Sequence, residues 1–278
     1  MSLPPQLLEH AREFAEGSRQ PAEPRDAATV VVMRPSDAGP ELYLLRRQTS
    51  MAFAGGMCAF PGGGVDPRDF DTAVAWSGPS PAAWAERLQT SPELARALVC
   101  AAVRETFEES GVLLAGPSAA EVVADPTGDD WEADRRSLET RELALTEFLD
   151  RRGLVLRTDL LGAWAAWCTP EFEPRRFRTW FFVASLPPGQ RTRDVSTESS
   201  SVLWMPALVA CDAVDAQEIG MMPPTYVTCL EVGQYADPLA VLAAAPERDL
   251  TMFTPSLDPD DRVSIPARSV PLVEARGG

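Results

Sequence analysis

The sequence predicts an α+β fold in which strands flank one long helix, and three observations predict it. Two β-rich runs, ATVVVMRP and ELYLLRR, stand on either side of the turn-forming cluster SDAGP and read as a hairpin. The stretch PELARALVCAAVRETFEESG is strongly helical, with Ser91 as its N-cap and Gly111 as its stop. Three later runs, LGAWAAWCTP, FRTWFFVASLP and SSSVLWMP, are strand-like and separated by breakers. They lack the regular strand–helix alternation of a doubly wound sheet.

Taken in order, residues 1–27 form an N-terminal appendage: a short helix-like segment and then the polar, proline-bearing SRQPAEPRDA. The domain proper begins at Ala28 and extends to residue 232, with insertions at about 70–96 and 116–153. After the hairpin comes a glycine-rich passage, GGMCAFPGGGVD. Residues 71–92 carry Trp76, Trp84 and the patch SGPSPAA without sustained periodicity, which marks the first insertion. The second is a charged, helical excursion. From about Ala207 short helical stretches give way to a proline-dotted tail, and residues 233–278 read as a C-terminal extension packed on the same domain. The chain contains no internal repeat.

Composition narrows the function. The 278 residues, 45% hydrophobic and 24% charged, suffice for a substantial core in an ordinary soluble protein. A formal charge of −16 without long basic runs excludes duplex nucleic acid and anionic membrane as partners, because a phosphate polymer would meet a repulsive field. A small anionic substrate is compatible if a few arginines and a cation reverse the sign locally. The five cysteines (Cys58, Cys100, Cys168, Cys211, Cys229) are odd in number, widely spaced and without a C-x-x-C pair, so they read as reduced core thiols. The N-terminal residues lack the basic-then-apolar pattern of an export signal, and no run reaches 18 apolar residues; a cytoplasmic location is expected.

The long helix carries the chemistry. At about 100° per residue, Glu105, Glu108 and Glu109 share one face within roughly 100° of arc. These like charges repel, and they stand in the last turn, where the helix dipole is also negative. Upstream the same helix is apolar nearly all round, with Leu94, Leu98 and Ala101 on the glutamate side and Val99, Cys100, Val103 and Phe107 elsewhere. Such a helix is buried, so its acidic end lines a cleft, and a hard divalent cation is the natural compensation for clustered carboxylates there. Arg104 can reach Glu108 at i+4, either as a surface ion pair or as a group that orients a carboxylate and limits repulsion. The glycines Gly62, Gly63 and Gly64 suit a backbone passing close to another group.

These residues resemble the Nudix box, G-x5-E-x7-R-E-U-x-E-E-x-G-U, where U is a bulky aliphatic. Gly63 matches its first glycine, and Arg104, Glu105, Glu108, Glu109, Gly111 and Val112 match its second half. Thr106 occupies the first U position and Asp69 stands where the first glutamate would be, without an expected catalytic role. Between Asp69 and Arg104 lie 34 residues instead of 7, an insertion of 27. An interrupted box of this kind is similar to the branch containing the peroxisomal coenzyme A diphosphatase of animals. The similarity continues at LLRR, at G-x3-F-P-G-G (Gly56 to Gly63), at W-x2-W-x-T-P-x4-R-R-F-x-T-x-F-F (Trp164 to Phe182), at E-x5-W (Glu198, Trp204) and at PPT (Pro223 to Thr225).

The resemblance implies a Nudix α/β/α sandwich with a mixed sheet, and a Mg2+- or Mn2+-dependent hydrolase that cleaves a diphosphate bond. Its metal would be held by Glu105, Glu108 and Glu109 with the Gly63 carbonyl, and its small nucleotide-derived substrate would be CoA or acyl-CoA. An ADP-ribose, NADH or nucleotide-sugar hydrolase, or a non-catalytic nucleotide-binding domain, are the alternatives. The expected catalytic residues are Glu105, Arg104 and Glu198, the last being a loop glutamate of the kind used as metal ligand or base. Arg47, Arg175 and Arg176 are candidate phosphate contacts, because a guanidinium matches phosphate oxygens bidentately. Trp164 and Trp167 are read as core residues that could alternatively stack on a base, and His10, the only histidine, as a surface residue. Relatives of this kind also allow a homodimer.

Overall fold

The apolar residues between Ala28 and Met33 of the first strand divide between two apolar clusters, one on each side of a sheet, so this strand must lie at the centre of a layered structure. The computed structural model describes residues 5–15, 17, 20–48, 55–196, 199–258 and 262–277. The chain enters through helix α1 (Pro5–Ala15) and forms β1 (Arg25–Ser36), β2 (Gly39–Arg47), β3 (Cys58–Ala59) and β4 (Gly62–Gly64). A one-turn helix at Pro67–Phe70 leads to β5 (Trp76–Ser77), α2 (Pro81–Leu88) and the long α3 (Pro92–Ser110). Next come β6 (Ala115–Gly116), α4 (Asp129–Glu139), α5 (Leu145–Arg151), β7 (Val155–Arg157), β8 (Gly162–Cys168), β9 (Phe177–Ser185) and β10 (Ser199–Pro206). Helices α6 (Ala207–Asp215), α7 (Pro223–Val232), α8 (Pro238–Ala244) and α9 (Val270–Glu274) close the sequence.

The main sheet has the order β10-β2-β1-β9-β8, with β3 on β2 and β4 on β1. It is mixed, as expected: β1 runs parallel to β9 and antiparallel to β2 and β4. Ala28, Val30 and Val32 of β1 point into the cluster built on α3, whereas Val31 and Met33 point into the one formed with α6 and α7. This period of two places α2 and α3 on one face and α6, α7 and α8 on the other. A separate three-stranded sheet, β5-β7-β6, joins the two insertions.

Two differences from the sequence reading have plain causes. The hairpin turn is tighter than SDAGP suggested, because β1 and β2 pair as far as Ser36 and Gly39; Gly39 takes φ +94° there, and Ser36 Oγ donates to Gly39 O at 2.8 Å. The sheet also begins at Arg25 and not at Ala28, since Arg25 N donates to Arg176 O at 2.9 Å and Arg178 pairs with Asp26 at 2.7 Å.

The first insertion is folded onto the molecule. Ser80 caps α2, whose Trp84 meets Phe182 edge-on at 5.8 Å. The second insertion braces the far end of α3: the guanidinium of Arg135, only 2% exposed, donates to Glu108 O at 2.6 Å and is flanked by Glu132 and Glu139. A buried cation at a helix C-terminus opposes both the dipole and the carboxylates above it. The C-terminal extension is fastened through Glu231 of α7, which is 4% exposed. Its carboxylate accepts from Trp164 Nε1 at 3.1 Å, Arg268 Nε at 3.0 Å and Ser269 Oγ at 2.6 Å, and from Arg248, whose guanidinium also lies over the Trp164 ring. All five cysteines are buried free thiols; burial pushes Cys100 up to about 12 and lifts Cys58 as well, keeping both protonated. Among the described residues no helix is long and apolar enough to cross a membrane.

Candidate functional site

Helix α3 begins and ends where its caps dictate: Ser91 Oγ accepts from Leu94 N, and Gly111 takes the left-handed φ of +72° that ends the helix. From Ala97 onward every residue but Glu105 is buried, so the acidic last turn lies inside the protein. Glu105 is the most open of the three glutamates. Pressed against this turn is the glycine strand β4. A Cβ at Gly63 would stand 2.5 Å from Glu105 Oε1, and one at Gly62 would stand 2.5 Å from Ala28 O. Gly62 therefore excludes any side chain, because the clash is with backbone, whereas a side chain at Gly63 would push the Glu105 carboxylate aside. Gly62 N donates to Glu109 Oε2 at 2.8 Å.

Arg104 is the hub. Its Nη1 contacts Glu105 Oε1 at 2.8 Å and both Glu108 oxygens at 3.2 Å, while Nη2 donates to Gly64 O at 3.1 Å. The guanidinium also forms a two-point pair with Asp69, Nε–Oδ1 3.1 Å and Nη2–Oδ2 3.0 Å. Asp69, only 2% exposed, is held in turn by the one-turn helix: Asp66 N donates to Asp69 Oδ2 at 2.8 Å, the reciprocal half of a capping box. The chain excursion between Asp69 and Arg104 thus returns so that the two side chains meet. Asp69, which the sequence reading gave no catalytic role, anchors Arg104.

The electrostatics of the turn are unbalanced. Three carboxylates, Asp69, Glu105 and Glu108, meet the one guanidinium of Arg104, and a fourth, Glu109, stands in the same turn against Gly62 N. Burial, reinforced by the charge of Glu105, pushes the Glu108 carboxyl well above the usual carboxylate range despite Arg104. Among the described residues no three acidic, histidine or cysteine side chains are arrayed as a ready cage for a metal ion; Glu105 and Glu108 turn to Arg104 and Glu109 to Gly62 N. The donor chemistry nonetheless fits a hard divalent cation, because an excess of buried carboxylate oxygens is what such an ion neutralises.

The other residues singled out in the sequence divide. Arg47, at the end of β2, lines a narrow cavity together with Glu109, Leu45, Ala59, Phe60 and Ser199. The same Arg47 and Ala59 also line a larger, mostly apolar cavity of about 190 Å3 on the other side of the sheet. Arg175 is exposed, and Arg176 donates to Thr169 O at 3.0 Å and Ala22 O at 2.9 Å, so it ties the N-terminal segment to β9; neither lines these cavities. Arg178 is likewise occupied by Asp26. Trp164 is fully buried, and Trp167 is a wall of the larger cavity, edge-on to Phe253 at 5.2 Å. His10 sits at 3.4 Å from Glu173. Glu198 lies outside the described residues.

A model of the NUDT19 Nudix domain matches residues 85–231. The chain is similar to the acyl-coenzyme A diphosphatase NUDT19 of Gallus gallus, at 27% identity over 73% of this chain and 66% of that one. It is also similar to the putative nudix hydrolase 7 of Caenorhabditis elegans, at 24% identity over 77% of this chain and 62% of the relative. It therefore spans less than two thirds of the length of either. Among solved structures, a NUDIX hydrolase from Alicyclobacillus acidocaldarius is similar with a TM-score of 0.65 and 26% identity, covering 83% of this chain and 99% of that one.

Proposed function

From the premise that this chain belongs to the NUDT19 Nudix domain family, we propose that it is a divalent-cation-dependent hydrolase that splits the diphosphate bond of CoA or acyl-CoA. The observation that carries the reading is the closure of Gly63 onto Glu105 across the interrupted box, with Asp69 and Arg104 paired behind it. Products would be a nucleoside bisphosphate and a phosphorylated pantetheine arm.

Glu105, Glu108 and Glu109, with the Gly63 carbonyl, would hold Mg2+ or Mn2+. Such an ion, when bound, neutralises charge on the diphosphate oxygens and acidifies an attacking water. The chain's own residues supply the rest. Asp69 fixes the plane of Arg104, and Arg104 sets the carboxylates of Glu105 and Glu108 and tempers their repulsion. Arg47, beside Glu109, offers a charge-assisted contact to a phosphate oxygen. The proton of the attacking water falls to a carboxylate, Glu198 or Glu105, since His10 is held against Glu173. Glu198→Gln with unchanged turnover would remove it from this role.

The test is a panel of CoA, acyl-CoA, ADP-ribose and NADH incubated with Mg2+ and read by product mass. Cleavage of the CoA compounds at the diphosphate is expected; preferential cleavage of ADP-ribose or NADH, or binding without cleavage, would overturn the assignment. A second expectation concerns the glycine. Gly63→Ala must displace the Glu105 carboxylate, and a misplacement of about 1 Å costs on the order of 100-fold in rate, so kcat should fall by about that factor. Unchanged kcat would show that Glu105 tolerates the shift.

A further inference from the structure

One carboxylate of the second insertion reaches the end of α3 by two routes. Glu132 of α4 forms a two-point pair with Arg135, Nε–Oε2 and Nη2–Oε1 both 2.9 Å, and its Oε2 also accepts from Arg193 Nη1 at 2.9 Å. Each guanidinium goes on to the acidic turn. Arg135 Nη1 donates to Glu108 O at 2.6 Å. Arg193, in the segment between β9 and β10, lies so close to the cap glycine that a Cβ at Gly111 would stand 2.7 Å from its Nε, and its backbone N donates to Ser110 O at 2.8 Å.

The charges explain why such a joint is needed. The end of α3 gathers carbonyls without helical partners, the negative pole of the dipole and three glutamates, so two cations behind it offset that charge. Two neighbouring cations partly removed from water repel each other in turn, and Arg135 is only 2% exposed. Glu132 stands between them and offsets both. Its carboxyl is held down at about 2, first by the hydrogen bond from Arg135, so it stays charged throughout the neutral range. The Arg193 segment is also fastened to β2, where the OH of the fully buried Tyr43 donates to Arg193 O at 2.9 Å. Arg193 thus meets α3, α4 and β2 at one point, and the narrow cavity containing Glu109 is walled by Leu45 and Arg47 of β2 and by Ser196 of the Arg193 segment.

We infer that Glu132 is a positioning residue for the divalent-cation site: acting through Arg135 and Arg193, it fixes the main chain of the last turn of α3 and with it the spacing of the Glu105, Glu108 and Glu109 carboxylates. This inference rests on the reading of that turn as the cation site and deepens it. It also gives the second insertion a function beyond packing. Arg136 supplies the contrast. It donates to Glu132 Oε1 at 2.9 Å from the exposed face of α4, so its loss leaves both routes to α3 in place.

Titration of the full chain with Mn2+, read as loss of the paramagnetic resonance signal of the free ion, tests the inference without turnover. Glu132→Ala is expected to raise the Kd for Mn2+ by about 10- to 100-fold, the usual cost of losing a residue that orients metal ligands, and Arg193→Met by about tenfold. Glu132→Gln, which keeps one acceptor oxygen, should lie between the unmodified chain and Glu132→Ala; with Arg193→Met it carries the test if Glu132→Ala does not fold. Arg136→Ala should leave Kd unchanged, and so should Glu231→Ala, which lowers stability without touching α3. Unchanged Kd in the Glu132 and Arg193 variants, where the unmodified chain binds Mn2+, overturns the positioning role and leaves the cation site standing. An equal rise in Glu231→Ala would reduce the effect to general stability and overturn it as well. An unmodified chain that binds no Mn2+ overturns the cation reading together with this inference.

Discussion

Glu108→Gln is expected to lower kcat about 1,000-fold while raising the melting temperature of the metal-free protein by about 2–4 °C. The two effects have one origin. Three carboxylates, Asp69, Glu105 and Glu108, crowd the Arg104 guanidinium, and burial already disfavours the charged form of Glu108. Replacing it by a neutral isostere removes a repelling charge but keeps an oxygen that can accept from Arg104 Nη1. Relief of about 1 kcal/mol corresponds to that rise in a protein of this size. The same change strips a charged ligand from the proposed cation site, and losing a preorganised stabiliser of developing charge costs on the order of 100- to 1,000-fold or more. Steady-state assay with CoA and Mg2+, and thermal melts in EDTA, check both halves. Activity within tenfold of the unmodified protein would locate the metal elsewhere. A lower melting temperature would mean that the Arg104–Glu108 pair is worth more than the crowding costs.

The second large effect is expected far from that turn. Glu231→Ala should destabilise the protein by about 3–5 kcal/mol, the usual penalty for removing one partner of a buried ionic cluster, and lower the melting temperature by roughly 10 °C. The carboxylate accepts from Trp164, Arg248, Arg268 and Ser269 at once. Its loss leaves two guanidinium groups facing each other, one of which burial already pushes towards the neutral form. Denaturant titration measures the change. A loss below about 1 kcal/mol would show that water or another carboxylate replaces Glu231. Because Arg268 and Ser269 belong to the C-terminal extension, proteolysis should also strip that segment sooner from the variant.

The sequence made the central helix and the sheet strands readable because their signals are local. Ser91 and Gly111 bracket α3, the 3.6-residue period shows its buried faces, and the glutamates at i, i+3 and i+4 must share a side. Asp69 was visible only as a mismatch to a motif; that it would anchor Arg104 depends on how an excursion of 34 residues returns, which no local pattern records. Arg176 illustrates the converse ambiguity. An arginine beside a strand offers the same five donors to a phosphate or to backbone carbonyls, and Thr169 O and Ala22 O take two of them here. Glu231 gave no signal either, since a lone glutamate in a helix ordinarily faces solvent. The apolar cavity is assembled from widely separated stretches, among them Thr29, Arg47, Cys58, Trp167, Phe181 and Pro223, so no local pattern announces it.

The interruption of the box has a consequence for how the protein folds. Closing 34 residues instead of 7 between Asp69 and Arg104 costs about 1.4 kcal/mol more in chain entropy. The excursion offsets this because it is itself ordered, with Trp84 and Leu88 of α2 packed into the cluster beneath α3. The ion pair that supports the acidic turn is consequently a long-range contact, formed only once the inserted segment has settled. A chain that has not completed this closure holds the three glutamates without the Asp69–Arg104 pair behind them, so the geometry of the acidic turn depends on the folded insertion.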